Sequence, residues 1–370
     1  MPASLIIFFV TLFAAVGLVV TQKWHGHFSL DTAFGVQHHH TEPTPRIGGV
    51  AIAMGLASAW ELATPDVGAV LGPMLMAGIP AFLFGLMEDL TKRVGVLPRL
   101  LATMASGVLA WYLTGIAMQN TGAPPLDWLL GFTPIAVLFT AIAVGGVANA
   151  LNIIDGFNGL AAGAIVIMLG ALGLIAAGVG DSTLASVCFL LACGAIGFCF
   201  VNWPFGPIFL GDGGAYLLGF CLAWLAVLLP MRNPQINAWA SLLVCAYPVL
   251  EVAFSVQRRH KRVGHHPGAP DKCHLHHFMH RRVVCKLFPH MRRRLQNGMT
   301  GPIGWVCAAL PAAWGVAFAQ NTLMLAVGFG LAVFGYVAVY ARLTQFRWCF
   351  SARTLRPGSA SRALAESTHS

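Results

Sequence analysis

Long apolar stretches separated by short polar segments run along almost the whole chain. The long stretches each contain about 17–25 residues, the length that an α-helix needs to cross a lipid bilayer. Eleven can be placed, at 3–20, 47–64, 70–87, 100–118, 129–149, 160–178, 183–201, 213–230, 236–256, 301–318 and 322–341. The pattern therefore predicts an all-α, polytopic integral membrane protein with eleven transmembrane helices and with its two termini on opposite sides of the bilayer.

The composition supports this class, because 57% of the residues are hydrophobic and 9% are charged, whereas soluble domains carry about 25% charged residues. The segments that follow spans one, three, nine and eleven lie on the same side of the membrane, and they contain 21 of the 22 Lys and Arg residues. The remaining one, Arg232, lies on the opposite side. By the positive-inside rule the basic side is cytoplasmic and the N-terminus is outside. This bias explains the net charge of +9, so the expected partner is the lipid bilayer and no nucleic-acid partner is expected.

The domain organisation follows from the same pattern. Residues 1–345 are predicted to form one transmembrane catalytic domain with a basic, histidine-rich cytoplasmic loop at 257–300, and residues 346–370 are predicted to be a disordered cytoplasmic tail. The first apolar run has no basic residues before it, so it is interpreted as a retained anchor rather than a signal peptide. The nine cysteines contain no C-x-x-C pair, so neither a disulfide framework nor a structural zinc site is expected.

Four polar clusters fall at one membrane face on this topology. Glu88 and Asp89 end the third span, "NALNIIDGFNGL" ends the fifth, "FLGDGG" with Asp212 precedes the eighth, and "DKCHLHH" lies in the basic loop. Polar groups are costly in hydrocarbon unless they face a partner or a water-filled cavity. Their convergence predicts an active site on the cytoplasmic face.

The acidic pair Glu88–Asp89 has two interpretations that the sequence leaves equally open. It is either a solvated helix end or a site for Mg²⁺ or a proton, since adjacent carboxylates repel each other. Lys92, Arg93 and Arg99 follow it and would suit a phosphate group at the level of the lipid headgroups.

The asparagine-rich stretch favours ligand binding over capping. Asn149, Asn152 and Asp155 recur every three residues and so lie within an arc of about 120° on one helix face. Capping accounts for Asp155 or Asn158 but not for Asn149 and Asn152, which lie inside the span.

Asp212 stands among glycines at the start of a helix. Taken alone it is an ordinary N-cap. Together with the other clusters it suits a cation that bridges to a phosphate at a helix N-terminus.

All fourteen histidines lie outside the apolar runs. His274, His276 and His277 stand near several arginines, a setting suited to anionic phosphates, and the spacing of a zinc site is not met. The role of His38–His40 stays open.

The cytoplasmic inventory of carboxylates, basic groups and glycine loops is that of phosphoryl transfer from a Mg²⁺-bound diphosphate, with a lipid co-substrate in the membrane. The alternative from another class is a secondary transporter. Transporters place ionisable residues near the bilayer midplane, whereas these residues, and Glu251 as well, lie at span ends on one side.

The motifs "TPRIGG", "GLMEDLTKRVGVLPRL", "NALNIIDGFNGLAAG", "FLGDGGAYLLG" and "DKCHLHH" occur in this order over residues 40 to 280. In this respect the chain resembles the polyprenyl-phosphate N-acetylhexosamine-1-phosphate transferases, a family of eleven-helix enzymes in the bacterial inner membrane. The resemblance implies that undecaprenyl phosphate attacks a UDP-N-acetylhexosamine with Mg²⁺ bound, or Mn²⁺ as a substitute, and that UMP leaves. The product would start O-antigen, lipopolysaccharide or another cell-envelope glycan.

The resemblance also implies roles for individual residues. Catalytic roles fall to the acidic and imidazole groups of Glu88, Asp89, Asp212, His274, His276 and His277. Substrate binding falls to Asn149, Asn152, Asp155, Asn158, Phe209, Arg46 and Lys92, with Phe209 stacked on uracil. Magnesium ligation falls to Asp212 and Asp155.

Two departures from the family pattern stand out. The first residue of the acidic pair is Glu88 rather than Asp, and His38 stands where many members have Lys. N-acetylglucosamine is the expected sugar, with N-acetyl-fucosamine, N-acetyl-quinovosamine and pentapeptide-bearing muramic acid as alternatives. The oligomeric state is left open, a homodimer included.

Overall fold

The computed structural model of the chain describes residues 3–31, 43–260 and 273–345. The predictions for His38–His40, for the tail 346–370 and for part of the loop 257–300 lie outside these residues. Within them, sixteen α-helices make up nearly all of the secondary structure, so the all-α prediction is confirmed. They are α1 Ala3–Val20, α2 Gln22–Ser29, α3 Gly48–Glu61, α4 Pro65–Thr91, α5 Val96–Thr114, α6 Pro124–Leu130, α7 Thr133–Ile154, α8 Leu160–Gly178, α9 Ser182–Asn202, α10 Gly211–Arg232, α11 Ala238–Val244, α12 Ala246–His260, α13 Leu275–Met279, α14 Cys285–Leu287, α15 Arg293–Ala317 and α16 Thr322–Thr344.

A π-helical turn and two short strands are the other elements of the described part of the chain. A π-helical turn, His280–Val284, separates α13 from α14. The two-residue strand β1, Leu30–Asp31, pairs antiparallel with β2, Thr44–Pro45, in the register Leu30 to Pro45.

Each of the eleven predicted spans overlaps at least one of these helices. Among the described residues, eight helices are long and apolar enough to cross a membrane, namely α1, α4, α5, α7, α8, α9, α10 and α16. The helices α11 and α12 pass the same test together but meet at a bend of 78°, so they form either a broken span or a re-entrant segment.

The two remaining predicted spans, 47–64 and 301–318, overlap α3 and α15. The 14 residues of α3 extend about 21 Å, less than the hydrocarbon core of about 30 Å. Helix α15 begins with two arginines, which shorten its apolar part. The described residues therefore support a multi-pass membrane protein with eight or nine spans, and the count of eleven and the N-terminus-outside orientation stay predictions.

Helix α10 forms the centre of the bundle. Every residue from Gly211 to Pro230 is buried, as expected for a helix that is apolar on all sides. Helices α3, α4, α7 and α8 pack around it. Small residues allow the close approach that membrane helices use: a Cβ at Gly219 would lie 2.7 Å from the Ala148 Cα of α7.

The outer surface of the bundle carries large exposed apolar side chains, among them Phe13, Leu138 and Phe334. Such a surface is typical of helices that face lipid tails, since a soluble monomer rarely exposes so much contiguous apolar area. The bundle thus has a packed interior and an apolar exterior, as a membrane protein requires.

At the end of the bundle where the α8–α9 turn lies, an ion pair closes that turn onto α10. The Asp181 carboxylate accepts hydrogen bonds from Arg232 Nε at 2.8 Å and Nη2 at 3.1 Å, from Asn233 Nδ2 at 3.2 Å and from Leu184 N at 3.0 Å. Partial burial raises the pKa of Asp181, but these hydrogen bonds outweigh it, so its pKa lies below the ordinary 3.8. Arg232, the single basic residue predicted outside, is therefore a structural residue.

We expect Arg232→Ala to lower the free energy of unfolding by about 1 kcal/mol, because a bidentate but partly exposed ion pair is lost. Thermal unfolding in detergent measures this. Since the folded-state pKa of Asp181 is lowered, the stabilisation is present above pH 3.8 and is lost as the pH falls through the folded-state value. Arg93→Ala, at an exposed residue at the other end of the bundle, should leave the melting temperature unchanged. Equal melting temperatures for Arg232→Ala and the wild type would contradict the expectation.

Candidate active site

The first part of the site is a contact between the end of α4 and the start of α10. The fully buried Asp89 accepts hydrogen bonds from Asp212 N at 2.9 Å and from Gly213 N at 2.8 Å, one to each carboxylate oxygen. Free N–H groups at a helix N-terminus favour a negative charge in this position. Asp89 thus caps α10 from another helix, and the interpretation of Asp212 as an ordinary N-cap is wrong, because Asp212 lies within the first turn.

The Asp212 carboxylate is the point where four distant segments meet. Its Oδ1 accepts hydrogen bonds from Arg46 Nη2 at 3.1 Å and from Asn152 Nδ2 at 3.0 Å. Its Oδ2 accepts a hydrogen bond from Arg99 Nη1. Asp212 is itself buried, so these three donors satisfy a carboxylate that would otherwise be costly to bury. The predicted convergence of distant motifs is present in the structure.

Glycines make this convergence possible. Gly211 has φ +74°, and a Cβ there would collide with the Arg46 carbonyl oxygen and lie 2.6 Å from Asp89 Oδ2. A Cβ at Gly85 would lie 2.6 Å from the Asp212 carbonyl oxygen. No other residue type combines the left-handed backbone with such close approach.

Backbone hydrogen bonds join the Arg46 segment to the end of α2 and to the segment before α10. Arg46 N donates to Ser29 O at 2.9 Å, Phe209 N donates to Pro45 O at 2.8 Å, and Gly48 N donates to Phe209 O at 3.0 Å. The Arg46 guanidinium also lies 3.6 Å from Asp89 Oδ1. The motifs "TPRIGG" and "FLGDGG" therefore form one unit, in which partly exposed Phe209 lies beside Arg46.

Asn149 and Asn152 of α7 face the same side, as their spacing predicts. Their Oδ1 atoms lie 3.4 Å and 3.3 Å from the hydroxyl of Tyr216, a buried residue one turn after Asp212 on α10. Sequence reasoning did not single out Tyr216. A tyrosine in an otherwise apolar stretch of helix is the one signal that could have found it.

Asp155 ends α7 beside the histidine segment. Burial raises the pKa of Asp155 to about 7, while the Arg46 guanidinium opposes the shift. Its side chain remains partly exposed, and within the described chain its carboxylate accepts no hydrogen bond. A Cβ at the next residue, Gly156, would lie 3.5 Å from His276 Nε2 and 3.9 Å from His277 Cε1. Two of the three predicted histidines thus pack against the Asp155 loop.

His274 is turned towards a residue that sequence reasoning noted only for its position. Glu251 of α12 is fully buried, and its Oε1 accepts hydrogen bonds from His274 Nδ1 and Leu275 N, both at 2.9 Å. His276 Nδ1 lies 3.9 Å from Glu251 Oε2. Glu251 therefore anchors the histidine segment to the bundle, and a carboxylate bonded to Nδ1 sets the tautomer and ring orientation of a histidine.

Three predicted site residues point away from Asp212. Glu88 Oε2 accepts a hydrogen bond from Val94 N at 2.8 Å, Lys92 Nζ donates to Leu30 O at 2.8 Å, and Asn158 Nδ2 donates to Pro204 O at 3.1 Å. All three are hydrogen-bonded to backbone groups rather than to Asp212. Of the three basic residues after α4, the structure brings Arg99 to Asp212 and directs Lys92 elsewhere.

The charges of the site bear on the predicted magnesium ion. Among the described residues, no three His, Cys, Asp or Glu side chains lie close enough together to hold a metal ion by themselves. Mg²⁺ needs only one or two carboxylates when substrate phosphates and water complete its shell. Asp155 and Glu88 both lie within electrostatic range of Asp89, and Asp212 accepts hydrogen bonds from Arg46 and Arg99. The site therefore offers carboxylate oxygens of the kind that bind a divalent cation when substrate supplies the remaining ligands.

Comparison with known proteins places these residues in a family. The sequence model described as glycosyl transferase family 4 matches residues 71–230, a range that contains Asp89, Arg99, Asn152, Asp155 and Asp212. It leaves out Arg46 and the histidine segment.

Three relatives illustrate the similarity over longer ranges. A decaprenyl-phosphate N-acetylglucosaminephosphotransferase of Mycolicibacterium smegmatis is 31% identical over 67% of this chain and 70% of its own length. An undecaprenyl-phosphate alpha-N-acetylglucosaminyl 1-phosphate transferase of Yersinia pestis is 25% identical over 74% of this chain and 75% of its own length. The transferase of the same name from Salmonella typhi is 24% identical over 73% of this chain and 74% of its own length. The chain therefore belongs to glycosyl transferase family 4, a family of sugar-phosphate transferases.

Proposed function

We propose that the protein transfers N-acetylglucosamine-1-phosphate from a UDP-sugar to undecaprenyl phosphate and releases UMP. The reaction would use Mg²⁺, take place at the cytoplasmic face of the bacterial inner membrane and start a lipid-linked cell-envelope glycan. The observation that carries the proposal is the Asp212 cluster, in which acidic, basic and amide groups meet at one end of an apolar bundle.

The names of the relatives support both substrates. Each is named for a polyprenyl phosphate acceptor and for the transfer of N-acetylglucosamine phosphate. A secondary transporter is disfavoured by the family and by the gathering of the acidic groups at one end of the bundle.

The basic groups would bind and orient the phosphates. Arg46 and Arg99, which hold Asp212, are also positioned to contact phosphate oxygens, since a guanidinium can serve two oxygens at once. Asp89 keeps the first turn of α10 in place and so sets where the Asp212 carboxylate lies. Positioning and charge neutralisation are the main needs of phosphoryl transfer.

Little base catalysis is needed for the attack. The second pKa of a phosphomonoester is about 6, so the lipid phosphate is largely dianionic at neutral pH. Mg²⁺ held by Asp212 and Asp155 would neutralise charge on the diphosphate and the leaving UMP.

An apolar cavity of about 280 Å³ supports a lipid co-substrate. It lies between α7, α10 and α11 and is lined mostly by apolar side chains, including Phe139, Val147, Ala223 and Trp239. Ala223 follows Asp212 by eleven residues, or about 16 Å along α10. The cavity thus offers apolar volume at a distance from the Asp212 cluster that a long prenyl chain can span.

The test is UMP release by purified protein with undecaprenyl phosphate and Mg²⁺. We expect turnover with UDP-N-acetylglucosamine and none with UDP-glucose or in the presence of EDTA. UDP-linked N-acetyl-fucosamine, N-acetyl-quinovosamine and pentapeptide-bearing muramic acid form the comparison panel. Faster UMP release with one of these donors than with UDP-N-acetylglucosamine would identify it as the preferred substrate. If no donor in the panel gave UMP release, the proposal would be overturned.

A further inference from the structure

We propose that Tyr216 is a positioning residue that holds two of the three donors to Asp212, namely Asn152 and Arg99, in their binding orientation. The inference rests on the proposed function, because it concerns how the same carboxylate is prepared for its substrate and cation. It assigns a role to a residue that lies within the motif "FLGDGGAYLLG" but to which sequence reasoning attached none.

The hydroxyl of Tyr216 lies on the oxygen side of the Asn152 amide, opposite the end that faces Asp212. Tyr216 is 1% exposed, and its hydroxyl lies 3.3 Å from Asn152 Oδ1 and 3.4 Å from Asn149 Oδ1. A hydroxyl has one proton to donate, whereas each amide oxygen is only an acceptor. With its oxygen towards Tyr216, Asn152 presents its Nδ2 to Asp212 Oδ1 at 3.0 Å.

Without the hydroxyl, this orientation is supported by the Asp212 carboxylate alone. A rotated amide would place its oxygen against the Asp212 carboxylate, where two acceptors repel each other. The hydroxyl therefore favours the amide orientation in which Asn152 donates to Asp212.

The ring of Tyr216 supports the donor to the other carboxylate oxygen. The guanidinium carbon of Arg99 lies 6.0 Å from the ring centroid, within the range of a cation–π contact, while Arg99 Nη1 contacts Asp212 Oδ2. Tyr216 thus contacts both Asn152, which donates to Asp212 Oδ1, and Arg99, which contacts Asp212 Oδ2. An apolar residue at this position would fill the space but could not orient the amide.

Two substitutions separate the hydroxyl from the ring. We expect Tyr216→Phe to lower kcat about tenfold, the effect of one lost hydrogen bond, with the KM for undecaprenyl phosphate and the melting temperature unchanged. Tyr216→Leu, which also removes the ring, should cost more. Tyr112→Phe removes a hydroxyl from a residue of α5 that is 74% exposed and should match the wild type in every measurement.

A double-mutant cycle shows whether Tyr216 acts through Asn152. In an Asn152→Ala background, Tyr216→Phe should cause no further loss of kcat, because the group that it orients is gone. Losses that simply multiply would overturn the inference, as would full activity of the single Tyr216→Phe variant.

A binding measurement keeps this inference separate from the proposed function. Thermal stabilisation of the detergent-solubilised protein by Mg²⁺ and UMP requires no turnover. We expect the Mg²⁺ concentration for half-maximal stabilisation to rise severalfold in Tyr216→Phe and to stay constant in Tyr112→Phe. A wild type that binds Mg²⁺ but releases no UMP would refute the proposed function alone, whereas an unchanged Mg²⁺ midpoint in Tyr216→Phe would refute the role of Tyr216.

Discussion

We expect Asp212→Asn to lower the rate of sugar-phosphate transfer by a factor of 10² to 10³, the usual effect of removing one preorganised charged group from an active site. The substitution keeps the size of the side chain but removes the charge that Arg46 and Arg99 neutralise. An amide nitrogen in place of one carboxylate oxygen would also face a donor, either Arg99 or the pair Arg46 and Asn152. A neutral side chain is in addition a far weaker ligand for Mg²⁺ than a carboxylate.

UMP release at saturating substrates measures this loss. Asp66→Asn is the matched control, because Asp66 is an exposed residue at the opposite end of α4 from Asp89 and makes no contact with the site. We expect it to retain wild-type activity. If the activity of Asp212→Asn lay within threefold of the wild-type activity, Asp212 would have no essential role in the reaction.

The second large effect separates the two members of the acidic pair. We expect Asp89→Ala to lower both activity, by at least a hundredfold, and stability. The N–H groups of Asp212 and Gly213 would lose their acceptor inside the bundle, at a cost of about 1–3 kcal/mol for each buried donor. The first turn of α10 would then shift, and the Asp212 carboxylate with it.

Glu88→Ala is the comparison. Glu88 accepts a single hydrogen bond, from Val94 N in the loop after α4, so we expect its loss to reduce activity less than tenfold. Both variants are assayed for UMP release and for thermal unfolding in detergent. If Glu88→Ala proved as damaging to activity as Asp89→Ala while its melting temperature was unchanged, Glu88 would take part in the chemistry and the assignment from geometry would be wrong.

Helices and motifs were readable from the sequence because hydropathy and spacing are local properties. Each apolar run overlaps a helix, and the three-residue spacing of Asn149 and Asn152 placed both side chains on one face, where Tyr216 contacts them. The distribution of basic residues also predicted that Asp89, Asp155 and Asp212 share one end of the bundle, and the structure brings these segments together.

The sequence did not predict which groups each side chain contacts. Neighbouring residues on a helix point about 100° apart, so the sequence could not tell which of Glu88 and Asp89 faces α10. Nor could it tell which basic residue reaches Asp212: Lys92 turns to Leu30 O, and Arg99 makes the contact. These choices depend on how each helix is rotated against its neighbours.

The sequence by itself determined the class of the protein, its helices, its candidate motifs and the family that they resemble, because apolar run length and residue spacing carry that information along a single chain. Only the tertiary structure decided that Asp89 caps α10, that Glu251 anchors His274 and that Tyr216 lies between Asn152 and Arg99. The reason is physical. A side chain's role depends on the few atoms within hydrogen-bond distance of it, and in this bundle those atoms come from helices far apart in the chain.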